Sequence, residues 1–288
     1  MSVITARIGD SRATALLSSI LLNALLPLAV AYFIISFLVD PANIDTSELQ
    51  TNSFLMSTHS IFRNIFDPDI LAVSVAASAI LLLTSMAGAI ALGVPAGIIY
   101  AWSGRRTLKA VAWSFSTIAA SLPTFFWAVA LELVMILLWL KLGIRVVAIA
   151  GFGIDDHLVL PAVALGIRPA AYIFRLTATA VDEIRHTDYV RTALAKGLPS
   201  RVLLVRHVLP NAAPNIIAAT VLGARGALSS LAIVDLVYVW GGAGLVFVQA
   251  LGSRRLVLAT ELAMTFAVAS VLLALAANLV RARVRVAA

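Results

Sequence analysis

Long uninterrupted apolar runs constrain this chain more than any other feature. Six of them reach or exceed the roughly 20 residues that an α-helix needs to cross a bilayer: Ala13–Val39, Ile70–Trp102, Ala110–Leu140, His157–Val181, Ala213–Val237 and Ala259–Val280. Backbone amides have no water to bind in hydrocarbon, so each run must close its own hydrogen bonds as a helix. The expected fold is all-α and membrane-integral, with six transmembrane helices. A soluble alternative fails on composition, because 61% of the 288 residues are hydrophobic and only 12% are charged. That is too few charges to coat a globular surface. The second and third runs exceed the minimum length, which predicts tilt or ends projecting into water. The first run is long for a signal-peptide core and lacks a clean small-residue cleavage site after it, so it counts as a helix.

The charged residues orient these helices. With the N-terminus inside, the inner segments hold thirteen of the 21 Lys and Arg residues: Arg7, Arg12, Arg105, Arg106, Lys109, Arg185, Arg191, Lys196, Arg201, Arg206, Arg281, Arg283 and Arg285. The outer segments hold Arg63, Lys141, Arg145, Arg254 and Arg255, and Arg168, Arg175 and Arg225 fall inside the spans. This asymmetry predicts both termini in the cytoplasm. The net charge of +7 therefore reads as membrane orientation and argues against nucleic-acid binding, since the cations sit in short clusters between apolar runs. The absence of cysteine excludes disulfides, thiolate metal sites and cysteine nucleophiles. His59, His157, His186 and His207 show no paired ligand spacing, so no metal site is expected.

Between the fourth and fifth runs, Asp182–Ala212 is too polar to span and too rich in helix formers to be a plain loop. Thr187 or Asp188 can cap a short helix through Tyr189, Arg191, Ala193 and Ala195. Gly197 supplies a left-handed position to end it, and Pro199 with Ser200 suits the opening of a second helix. Pro210 and Pro214 are expected to close that helix and lead into the fifth span. The result is an elbow on the inner face, with Tyr189, Val190 and Leu194 as an apolar knob. An ordinary basic loop is the alternative reading; a rigid elbow would instead carry force from a soluble partner.

The same segment resembles the coupling loop of ABC importer permeases, whose pattern is Glu-Ala-Ala, three residues, Gly, nine residues, Ile, one residue, Leu-Pro. Arg191, Thr192 and Ala193 stand where Glu-Ala-Ala is expected, Gly197 falls at the required spacing, Leu209 and Pro210 match the end, and His207 replaces Ile. The run from Asp188 to Ala193, followed by Ala195, Lys196, Gly197 and Leu198, is similar to the dipeptide/oligopeptide/nickel branch. So are Gly93 to Gly97, Ser121 to Phe126, Leu160 to Ala162 and Trp240 to Gly244; Val39 to Ala42 is like that branch's Gly-Asp-Pro-Ala.

This resemblance implies the type I importer permease fold, with cytoplasmic coupling helices, in a bacterial cytoplasmic (inner) membrane. Residues 1–69 would form a first helix and a short outer loop, and residues 70–285 the permease core. It implies a function as half of a translocation path for dipeptides or oligopeptides, and four kinds of partner: a second homologous permease, two ATPase subunits, an extracytoplasmic substrate-binding protein and lipid. Nickel, glutathione and sugar oligomers remain alternative cargoes. ATP and magnesium would be bound by the ATPases, with no cofactor in this chain. Tyr189, Val190, Arg191, Thr192, Ala193, Lys196, Gly197, Leu209 and Pro210 are the implied ATPase-coupling residues.

Charges inside the spans are expensive unless they face protein or a water-filled path. Glu132, Arg168, Arg225, Asp235 and Glu261 are therefore read either as pathway lining or as structural pairs, with Arg168 and Arg225 able to meet a peptide carboxylate or an acid such as Glu132. Arg175 lies near the inner end and can snorkel. Trp240, Gly242 and Gly244 belong to an outer turn that is either an aromatic anchor or, by the resemblance, part of a gate. Gly93 and Gly97 present two small residues on one face for close helix packing, with Pro95 as a possible bend or hinge.

Two rival functions fit the sequence less well. A secondary transporter would need ion sites and often a repeat; no repeat is visible, and the elbow would go unexplained. A membrane enzyme would need a catalytic cluster; no His-Glu-x-x-His or Gly-x-Ser-x-Gly motif is present. The 288 residues also contain no Gly-x-x-x-x-Gly-Lys-Ser/Thr loop, so an ATP-driven process needs a separate ATPase.

Overall fold

The computed structural model describes residues 70–287. The expected first span and the loop after it lie outside the described residues. Among the described residues the regular structure is helical: α1 (Ile70–Trp102), α2 (Arg106–Ser121), α3 (Thr124–Leu142), α4 (Val159–Arg185), α5 (Asp188–Ala195), α6 (Ser200–Leu203), α7 (Leu209–Val237), α8 (Ala243–Gly252) and α9 (Leu256–Ala287). A short 3₁₀ turn, Asp156–Leu158, leads into α4, and a π turn, Leu204–Val208, joins α6 to α7. Among the described residues, five helical stretches are long and apolar enough to cross a membrane. The described residues fall into two compact units, a larger one that includes 73–246 and a smaller one that includes 247–276.

In the larger unit α4 is the hub: it packs most extensively on α7 and also on α2 and α3. Its close contact with α1 depends on Gly93 and Gly97, one helical turn apart. A Cβ at Gly93 would stand 2.8 Å from the Ala170 carbonyl, and one at Gly97 would stand 2.7 Å from the Phe174 carbonyl. The small-residue face thus serves packing, as helix contact without side-chain separation requires.

One expected span is corrected. The run Ala110–Leu140 is not a single helix, because α2 ends at Ser121 and α3 begins at Thr124. Leu122 is extended (φ −76°, ψ 139°), since the ring of a following proline disfavours helical geometry in the residue before it. Pro123 then opens α3, and the Thr124 hydroxyl donates to Ser230 Oγ of α7 at 3.0 Å. The apolar count carried across the break because both sides of the corner are apolar. The αL residue Gly143 (φ 64°) ends α3, its N–H donating to the Trp139 carbonyl at 2.9 Å, a glycine C-cap.

Pro210 and Pro214 lie inside a helical stretch, against expectation. They do not close a helix; the chain runs helically from Ser200 through the π turn to Val237. Pro210 occupies the first turn of α7, where its missing N–H costs little. It cannot donate to the carbonyl four residues back, and the helix widens there instead, with the Leu209 N–H reaching the Leu204 carbonyl.

Candidate functional site

Two built features bracket α7, an elbow before it and a corner after it. At the elbow, α5 has the expected start and end. Thr187 is its extended N-cap residue, but its hydroxyl donates backwards to the Ile184 carbonyl at 2.6 Å rather than capping α5. Gly197 takes φ 79°, its N–H donating to the Leu194 carbonyl at 2.9 Å. Only a residue without a Cβ adopts that angle freely. Pro199 then caps α6.

The short helix α5 is amphipathic, and its two faces have different fates. Val190 is fully buried and Ala193 nearly so, in a cluster with Ala101, Ala180, Val181, Leu203 and Val208. Val190 is therefore not part of the exposed knob; it anchors α5 to the ends of α1 and α4. Tyr189, Arg191, Thr192, Leu194 and Lys196 are exposed, and these are the residues a partner can reach. Leu209 packs against the buried cluster, while Pro210 is exposed.

The Tyr189 ring does more than project. Its hydroxyl accepts from Asn211 Nδ2 at 3.1 Å and approaches the His207 carbonyl at 3.4 Å, which Asn211 Nδ2 itself meets at 2.6 Å. Tyr189 thus ties α5 to the first turn of α7 across the π turn. Asn211 carried no signal in the sequence, since it reads as one polar residue after Leu-Pro. On the other side, Arg185 closes the end of α1, donating to the Ala101 carbonyl at 2.6 Å with its guanidinium over the Trp102 ring.

The corner after α7 is a packed lock. Asp235, Trp240, Gly242 and Gly244 come together there, joined by Ser78 of α1, which sequence reasoning missed because a lone serine in an apolar run has no motif. Asp235 is fully buried. Its Oδ2 accepts from Ser78 Oγ at 2.9 Å and from the Gly244 N–H at 3.0 Å, and Ser78 Oγ accepts from the Ala243 N–H at 2.9 Å. The indole N–H of Trp240 donates to the Ala77 carbonyl at 3.0 Å. The Tyr238 hydroxyl donates to the Ala128 carbonyl at 2.9 Å, and the Tyr238 carbonyl accepts from the Gly151 N–H at 2.8 Å. Gly241 supplies the positive φ of the turn (76°). A Cβ on Gly242 would overlap the Asp235 carboxylate and Ser78 Oγ, and one on Gly244 would overlap Ala232. One oxygen of this membrane-embedded acid finds donors within its own chain, while Oδ1 is enclosed without a partner among the described residues.

Beside this corner, the loop before α4 is held by His157 and Asp155. Their Nδ1 and Oδ1 lie 2.7 Å apart, and the His157 N–H also donates to Asp155 Oδ1 at 3.1 Å. These hydrogen bonds hold the Asp155 carboxyl below the usual carboxylate range. Arg145 meets Asp156 at 3.6 Å with both side chains largely in solvent, so that pair contributes little.

The remaining intramembrane charges are spread over α3, α4, α7 and α9. Glu132 on α3 is half-buried. Arg225 is half-buried on α7. Arg175 is stacked over Trp113, 4.7 Å from the ring centroid. Arg168 makes no ion pair with Glu132 and no hydrogen bond among the described residues, and its Nε is enclosed without a partner. A cavity of about 580 Å³ opens among α1, α2 and α4, walled by residues such as Leu92, Phe115, Ile167 and Phe174. Thr84, Ser85 and Ser116 are the polar side chains among those lining it.

Comparison with known proteins gives this arrangement its context. Residues 93–286 match the family described as binding-protein-dependent transport system inner membrane component. The dipeptide transport system permease protein DppB of Bacillus subtilis (strain 168) is 30% identical over 174 residues, covering 60% of this chain and 54% of that protein. DppB of Escherichia coli (strain K12) is 26% identical over 196 residues, 59% of this chain and 58% of that protein. The chain thus spans a little over half the length of these relatives. Among solved structures, a crystal structure of an amino acid ABC transporter with histidines superposes with a TM-score of 0.53 at 18% identity, covering 74% of this chain and 94% of that one. That likeness is one of fold.

Proposed function

The chain belongs to the family of binding-protein-dependent transport system inner membrane components, and on that premise we propose that it is a permease subunit of an ATP-driven importer. It forms half of a path for dipeptides or short oligopeptides across the cytoplasmic membrane. The cargo class follows the dipeptide permeases it resembles. A second, related permease completes the path, two ATPase subunits bind ATP and magnesium and supply the stroke, and an extracytoplasmic binding protein delivers cargo. Both termini and the elbow face the cytoplasm, in keeping with the charge asymmetry.

One observation carries this reading: α5 is built as a rigid, docked lever. Its inner face is buried through Val190 and Ala193, its outer face offers Tyr189, Arg191, Leu194 and Lys196, and Tyr189 ties it to α7. A push on the exposed face therefore reaches a helix that crosses the membrane, which a flexible loop could not transmit. Arg191, Thr192, Lys196 and Gly197 are the contact and turn residues in this scheme. The buried lock around Asp235, Trp240, Gly242 and Gly244 would be the far fulcrum of the same helix.

Reconstitution tests it. In vesicles, the chain with a partner permease, both ATPases and loaded binding protein should accumulate dipeptide on ATP addition, and Tyr189→Ala should lower the peptide moved per ATP consumed. Single cysteines introduced by Ser103→Cys and Ser200→Cys should resist an impermeant thiol reagent added outside whole cells, while Thr51→Cys should react. Uptake driven by an ion gradient in the chain alone would sink the proposal.

A further inference from the structure

Helix α4 carries a stripe of residues along one face at alternating spacings of four and three: Pro161, Leu165, Arg168, Tyr172, Arg175 and Thr179. Pro161 and Leu165 are buried, Arg168, Tyr172 and Arg175 are half-buried, and Thr179 is exposed. The face therefore turns from apolar and closed to polar and open along the helix. The opposite face of α4, through Val163, Ile167, Ala170 and Phe174, borders the apolar cavity. A polar stripe on a membrane-crossing helix faces protein or water, since lipid would leave its donors unsatisfied.

Arg168 is the innermost polar member of that stripe, and it is unsatisfied. Its Nε is enclosed with no hydrogen-bond partner among the described residues. Among the described residues no ion pair reaches it, whereas Arg175, two turns further on, is already engaged by Trp113. The backbone beneath it is closely packed. Pro169 follows it and packs on Gly223 of α7, where a Cβ would stand 3.2 Å from the proline ring. A guanidinium at membrane depth, on a backbone fixed in this way and with no acceptor among the described residues, can receive an anion. Its planar fork matches the two oxygens of a carboxylate.

We propose that Arg168 is a specificity-determining residue of the translocation path, reading the C-terminal carboxylate of a short peptide, with Tyr172 and Thr179 continuing the polar track. The inference rests on the peptide-importer reading above and adds to it a recognition element within the membrane, separate from the binding protein.

The test uses the complete complex of both permeases and both ATPases in nanodiscs, without binding protein, so that only the membrane path is probed. Radiolabelled Ala-Ala is bound and displaced by unlabelled Ala-Ala or by its C-terminal amide. The amide should compete at least about tenfold more weakly, the loss expected when a charge-assisted pair is removed. Arg168→Gln should erase that difference, and Arg168→Lys should retain part of it. Equal competition by acid and amide in the unmodified complex, no binding of either, or a preserved preference in Arg168→Gln would each overturn the proposal. So would loss of permease pairing in both variants, which would assign Arg168 to an acid of the partner. ATP-driven uptake of Ala-Ala with binding protein present checks the underlying function separately: uptake that persists while the carboxylate preference is absent removes only this inference.

Discussion

Gly197, at the elbow before α7, has a φ of 79° and open space where a Cβ would sit. Gly242 and Gly244, at the corner after α7, have no such space, because Asp235, Ser78 and Ala232 occupy it. Gly197 is needed for its backbone angle, Gly242 and Gly244 for the volume they leave empty. The elbow is thus an exposed shape held up by a buried face, and the corner is a filled core around a carboxylate. Substitutions at the corner should damage folding, while substitutions at the elbow should damage what the elbow does and leave the fold largely intact.

The largest effect is expected at the corner. Gly244→Val forces a side chain into the Ala232 backbone and should destabilise the protein by about 3 kcal/mol or more, read as a collapse in detergent-solubilised yield and thermal midpoint. A midpoint near that of the unmodified protein would break the contrast. Asp235→Ala comes next. It strands the Gly244 N–H and the Ser78 hydroxyl together, at a cost of about 2 kcal/mol, measurable by the same melt. Asp235→Asn should cost less, because an amide oxygen still accepts from Gly244.

Gly197→Val should be milder for stability and harsher for function. A β-branched residue at that φ is strained by about 1–2 kcal/mol. The variant should reach the membrane at normal levels but fail to retain the ATPase subunits on co-purification. Gly197→Asn should fall in between, since asparagine tolerates the left-handed region better than other side chains. An unimpaired valine variant would mean the turn has no part in coupling.

The smallest effect concerns the loop beside the corner. The Asp155 carboxyl is held below its ordinary range chiefly by its hydrogen bond to His157. A lowered folded value means the stabilisation is present above the ordinary carboxylate range and is lost as pH falls through the lowered one. Amide exchange at Gly151, whose N–H binds the Tyr238 carbonyl, should rise slightly on acidification while exchange at Gly197 should not. Asp155→Asn should remove that difference, and equal acid sensitivity at both glycines would remove the distinction drawn here.

Much of the architecture was legible from residue order. The run Ile70–Trp102 is α1 to the residue, because a long apolar stretch in a membrane has one way to satisfy its backbone. Gly197 and Pro199 were readable as turn residues because their constraints are local to the chain. The corner between α2 and α3 was in principle readable too: Pro123 marks it, and the apolar count masked it. Val190 was misplaced for a different reason. An apolar residue on a short amphipathic helix can face a partner or its own protein, and only the neighbours Ala180, Val181 and Leu203 decide which.

By itself, then, the sequence determined that this is a chain of membrane-crossing helices with a polar elbow between two of them, since hydrophobic length, proline and glycine act through local backbone physics. Tertiary structure alone decided that Ser78 and Asp235, 157 positions apart, are joined through the carboxylate, that Tyr189 meets Asn211, and that Arg168 finds no partner among the described residues. Those facts depend on which helix faces approach one another. Residue periodicity marks which face of a helix is special, and close packing chooses what that face will touch.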